Sequence, residues 1–182
     1  EEAMADVFAS YVTTNSIVGE AFYGANSHLR ELDGQSQFPN PSPDAAVEGL
    51  PLAQSFWRLR ELLEQDLGQP GIQIAGDIWL ASLITSSGQL QANLVTNILL
   101  ADDDDFDLSN GSPHYSQIVQ AFSEHAFIVP LLPVHNLSCE VMENQLQLSW
   151  ELPTTSAHDQ IQIRRNGLPI ATLQATAVSY SD

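Results

Sequence analysis

The stretch AFIVPLLPVHNLSCEV, residues 126–141, is where the hydrophobic pattern of the chain changes period. Up to about residue 128 the apolar residues recur at helical spacing, and after about residue 134 they alternate as strand residues do. Between them stand Pro130 and Pro133, in a linker that suits neither a helix interior nor a central strand. The reading that follows is a mainly α part over residues 1–129 and an all-β part with sandwich patterning over 130–182.

Working upstream, SPHYSQIVQAFSEHAF reads as the last helix, with Ser112 as its N-cap and Pro113 at its first position. GQLQANLVTNILLADD and IQIAGDIWLASLITSS have the apolar spacing of two more helices. PLAQSFWRLRELLEQDLG predicts a helix with Pro51 in its first turn and Gly68 at its end. Pro39, Pro41 and Pro43 make residues 34–49 a turn-rich segment, and a first helix is expected from Glu2 to about Thr13. Downstream, LSCEV, LQLSWEL, QIQIRR and PIATL are short alternating segments, with RNG as a hairpin turn before the last of them.

The formal net charge is −18, with five arginines, no lysine and 23 acidic residues. Such an excess argues against binding a phosphate backbone and fits a protein kept apart by its own charge; it suits secretion or a salty medium, and composition does not choose between these. The single cysteine, Cys139, excludes an internal disulfide and a multi-cysteine metal site, and is expected as a buried thiol. No apolar run reaches the roughly 18 residues of a membrane helix. The first residues carry no initiator methionine, basic region or signal-like core, so the chain reads as a segment of a longer protein.

Within the first helix, EEAMADVFASYV places Glu2 and Asp6 four residues apart, on one face. Ala3, Met4, Val7, Phe8 and Tyr11 are expected in a core, which leaves the two carboxylates at its margin and in need of a partner. A Glu that ligates zinc, followed four residues later by an Asp that orients a ligand histidine, has this spacing. So does any solvated helix face, and spacing alone favours the latter.

Longer stretches carry a resemblance that shifts this balance. EAMADVFA resembles the N-E-A-x-x-D segment of thermolysin-like and fungalysin-like zinc metallopeptidases. EGLPLAQSFWRLRELL is similar to the G-x-x-x-A-x-x-x-W-x-(L/I)-R helix of the fungalysin-like group, and LLADDDDFDLSNGSPHYSQIVQAFSEHAF to the closing segment of its secreted bacterial members. The resemblance implies the C-terminal part of a gluzincin catalytic domain, with Glu2 as a zinc ligand and Asp6 as the carboxylate that fixes a ligand histidine. It further implies an extracellular endopeptidase that cleaves protein or peptide substrates by metal-activated water.

Two departures stand against that pattern. The chain contains no H-E-x-x-H, which in the family lies upstream of the Glu ligand, so the chain by itself is expected to be inactive. Ala46 stands three residues before Gly49, where relatives often have a histidine that helps stabilise the tetrahedral intermediate. His28 and His114 are the candidate replacements, each also readable as an ordinary surface or capping residue. Ala46 gives weight to a second reading, a non-catalytic homologue that acts as an extracellular interaction protein.

The run DDDDFDLSNG suits a hard cation, with Asp103, Asp105, Asp107 and Asn110 as candidate calcium ligands, and equally suits a solvated acidic loop. It is not an EF-hand, because the required glycine and distal Glu are not at their positions. Finally, NLSCEVMENQLQLSWELP and IQIRRNGLPIATL resemble strands A to C and the next strand of an immunoglobulin-like fibronectin type III module, with Trp150 as its core tryptophan. AVSYSD is similar to the strand before the module's last two, so a partial sandwich is expected.

Overall fold

A computed structural model describes residues 2–85, 94–108, 111–131, 134–142, 145–152 and 159–182. Among these residues the chain forms six helices and seven short antiparallel strands, helices first and most strands after them. It divides into two compact units, Glu1–Asp102 with His114–Pro130, and Asp103–Pro113 with Leu131–Asp182.

The first unit is built around helix α3, Leu50–Leu67, on which α1 (Glu2–Thr13), α4 (Gln69–Thr85) and α6 (Tyr115–Ser123) pack. Ala53, Phe56, Leu59 and Leu63 follow the helical repeat and are fully buried. Pro51 sits in the first turn as expected, and Gly68, at φ 67°, ends the helix with its N–H donated to the Glu64 carbonyl. Only Gly68 separates α3 from α4, which starts three residues before the apolar pattern suggested. The tight corner depends on Gly71, where a Cβ would stand 1.9 Å from the Leu63 carbonyl oxygen.

Aromatic rings fill the space between α3 and α6. Phe122 meets Phe56 edge to face at 5.4 Å and Phe127 at 5.7 Å, and Phe127 stacks on Phe38 at 4.7 Å. The buried His125 ring donates from Nδ1 to the Ser36 carbonyl at 2.8 Å, and Phe38 N–H returns a bond to the His125 carbonyl. Gln54 holds the same loop to α3, donating to the Glu31 carbonyl and accepting from Ser36 N–H.

Three sequence expectations change here. Helix α6 starts at Tyr115, with His114 at the cap position, so Ser112 and Pro113 precede the helix. The reason is Asp102, at the end of α5 (Leu94–Asp102), whose carboxylate accepts the His114 N–H at 2.8 Å and serves the first turn from outside the segment. The turn-rich stretch contains a short helix α2, Ala45–Glu48, capped by Asp44, and the preceding segment contains a small hairpin of β1 (Ile17–Val18) and β2 (Arg30–Glu31). Phe8, expected in the core, is 55 % exposed and lies against Trp79 at 5.8 Å, while Met4 and Tyr11 are half-buried. Residues 88–93 of the expected fourth helix lie outside the described residues.

In the second unit β3 (His135–Met142), β4 (Gln145–Glu151) and β7 (Ser179–Ser181) form one antiparallel sheet in the order β3-β4-β7. The strands β5 (Gln160–Arg165) and β6 (Leu168–Gln174) form another. Asn166 and Gly167 both have positive φ, at 52° and 82°, as a two-residue hairpin turn requires. Along β4, Leu146, Leu148 and Trp150 alternate inward, and Trp150 is buried with its indole N–H donated to the Ala177 carbonyl at 2.8 Å. Cys139 pairs with Leu148 across the β3–β4 ladder but is exposed, contrary to the expected buried thiol. Among the described residues strand β3 is an edge with little over it, so its inward positions are exposed.

Candidate functional site

Helix α1 buries Ala3, Asp6, Val7 and Ser10, a stripe at i, i+3, i+4 and i+7, so an acidic residue occupies a core position. Asp6 is 3 % exposed. Its partner is Arg30 on β2, whose Nε lies 2.5 Å from Oδ2 and whose Nη2 lies 2.6 Å from Oδ1. This two-pronged geometry fixes the carboxylate plane and answers the desolvation that burial imposes. It also leaves lone pairs on both oxygens for a further donor.

Glu2 is exposed, one turn toward the helix start. The hydrogen bonds that Arg30 donates to Asp6 push its guanidinium pKa up from the ordinary value, and the charges of Asp6, Glu2 and Asp44 push the same way against partial burial. Three carboxylates thus act on one cation, of which Asp6 alone bonds to it. Asp44 reaches this place as the N-cap of α2, its Oδ1 accepting the Ala46 N–H at 2.9 Å. Helix α2 packs on α1, and the chain passes so close that a Cβ on Gly49 would stand 2.8 Å from the Ala3 Cβ.

The structure therefore brings Glu2, Asp6, Asp44 and Ala46 to one side of α1, with Arg30 among them. Ala46 is 6 % exposed and offers a methyl group where a proton donor was sought. His28 is exposed in the loop joining β1 to β2. His114 is engaged elsewhere: its Nδ1 lies 2.6 Å from Asp102 Oδ1, and that carboxylate also holds its backbone N–H. The helices it joins, α5 and α6, pack on α4 and α3.

In the acidic run the grouping differs from the alternating set expected from sequence. Carboxylate oxygens of Asp103, Asp104 and Asp105 lie within 4.8 Å of one another. Asp107 instead contributes its backbone N–H, which donates to Asp103 Oδ2 at 2.8 Å and to Asp105 Oδ1 at 2.9 Å. Phe106, at φ 62°, turns the chain so that this amide points back. Asn110 lies outside the described residues, as does Glu1.

Arg30, Asp102 and Asp104 were not singled out from the sequence. For Arg30 a signal existed: a helix-borne Asp in an apolar stripe needs a cation, and the chain has only five. No protein-family model, no curated protein and no solved structure matches the chain. Among the described residues no helix is long and apolar enough to cross a membrane.

Proposed function

We propose that residues 1–129 are the second half of a gluzincin-type zinc endopeptidase domain, followed by a partial fibronectin type III-like module, in an extracellular protein that cleaves polypeptides. The observation that carries the reading is the pair on α1: Glu2 open to solvent and Asp6 buried four residues later, oriented by Arg30. An exposed carboxylate is available to a metal. A buried, fixed carboxylate with lone pairs to spare suits the task of holding a ligand histidine in one tautomer.

Zinc in such a site needs three protein donors, of which these residues supply Glu2 alone, so the chain does not hold a catalytic zinc by itself. When bound, the metal would supply a Lewis acid and an activated water. The chain's own contribution is one charged donor, a second carboxylate to align the rest, and a cation that sets that carboxylate's plane. The division of the strands, first, second and fifth in one sheet and third and fourth in the other, supports the fibronectin-like reading of the second part.

A second reading, an interaction protein descended from such peptidases, is favoured by Ala46, which has no proton to offer a developing oxyanion. The two separate in a longer polypeptide that carries an H-E-x-x-H upstream of these residues. Casein hydrolysis that a zinc chelator abolishes, together with one tightly held zinc per chain, supports the peptidase. A protein that holds zinc through Glu2 yet leaves casein intact supports the second reading.

A further inference from the structure

Among the described residues, the turn after α5 contains a buried oxygen atom with no hydrogen-bond partner. Asp103 is 7 % exposed, and while its Oδ2 accepts the Asp107 N–H, its Oδ1 is buried without a hydrogen-bond partner among the described residues. Burial, and the hydrogen-bonding contact with the Asp105 carboxyl, push the Asp103 pKa up, as expected of a carboxylate that lacks its counter-charge. No arginine supplies that charge. Arg30, Arg58, Arg60 and Arg165 bond to Asp6, Glu124, Glu64 and Asp182, and Arg164 to Gln162.

We propose that this turn is a calcium site, with Asp103 Oδ1 as the buried donor and the Asp104 and Asp105 carboxylates closing over the ion from solvent. Oxygens on opposite sides of a calcium ion at about 2.4 Å stand at most about 4.8 Å apart. One carboxylate oxygen from each of the three residues already lies within that span of the others. Magnesium binds at about 2.0–2.1 Å, is strict in its octahedral geometry and gives up its water reluctantly, so a shallow site finished by solvent discriminates against it. Asp104 and Asp105 are exposed, so water completes the shell and binding is expected in the range of extracellular modules, a Kd of about 10⁻⁴ to 10⁻³ M. The site is independent of the peptidase proposal and survives its failure.

The test is a calorimetric titration of calcium chloride into the chelator-treated 182-residue chain at near-neutral pH, with magnesium chloride in parallel. The expected result is one saturable site per chain, about tenfold or more weaker for magnesium. Asp103→Asn and Asp105→Asn should each weaken it about tenfold or more, and Glu20→Gln, on an exposed residue of the other unit, should leave it unchanged. Far-UV circular dichroism identifies any variant that fails to fold. If Asp103→Asn is one, the exposed Asp105→Asn carries the decision. The absence of saturable binding up to about 10 mM calcium overturns the proposal. So does equal weakening by Glu20→Gln, which would mark diffuse attraction to a chain of net charge −18.

Discussion

At the scale of single residues, the account turns on what holds Asp6. A carboxylate at a core position of a helix is tolerable only with a close cation, and Arg30 supplies two donors. Replacing Arg30 by Gln leaves that charge buried without its partner and should cost about 3 kcal/mol, seen as a lower denaturation midpoint at unchanged m-value. Asp6→Asn should cost less, because the amide oxygen still accepts one bond from Arg30. The four-residue spacing made it legible in the sequence that Glu2 and Asp6 share a face and that the pair needs a partner. That the partner is Arg30, 24 residues away and across a hairpin, was not, because local periodicity carries no information on which distant element packs over a helix.

At the scale of elements, α3 and α6 are joined by rings at their centre and an ion pair at their margin. Arg58 Nε lies 2.8 Å from Glu124 Oε2, both side chains about a third exposed. The hydrogen bond from Arg58 lowers the Glu124 pKa. A carboxyl whose folded pKa is depressed contributes stability above its unfolded value, about 4.3, and loses it as pH falls through the folded value. Glu124→Gln should therefore lower stability by about 0.5–1 kcal/mol near neutral pH, and the difference from the parent chain should vanish on strong acidification. The start of α6 makes a similar point about legibility. Ser112 and Pro113 are good cap and first-turn residues, yet Asp102 satisfies the His114 N–H from another helix, so the helix starts later. Asp102→Ala should destabilise the chain by at least about 1 kcal/mol in chemical denaturation.

At the scale of the whole molecule, the change of hydrophobic period near residue 130 is strong because it runs over many residues on each side. The helices α1 and α3 and the strands β4, β5 and β6 lie close to where that pattern puts them. The small hairpin of β1 and β2 and the four-residue α2 were not legible, since elements of two to four residues hold less than one period of any pattern. Those short elements deliver Arg30, Asp44 and Ala46 to α1, which is why the composition of the candidate site was only half readable. The exposure of Cys139 was not legible for a related reason: alternation gives the side of a strand, and whether anything covers that side depends on the rest of the sheet.

The central claim is that Glu2 serves a metal and not the fold, and its exposure makes the two separable. In a longer polypeptide that carries H-E-x-x-H upstream of these residues, Glu2→Gln alters an exposed side chain and should move the metal-free melting temperature by no more than about a degree. Zinc content of the purified variant, measured beside casein hydrolysis, is the direct reading. The account predicts that zinc falls from one per chain to a small fraction and that hydrolysis falls about 100-fold or more, with the metal-free fold intact. A variant that keeps one zinc per chain and cleaves casein at the parent rate would contradict it.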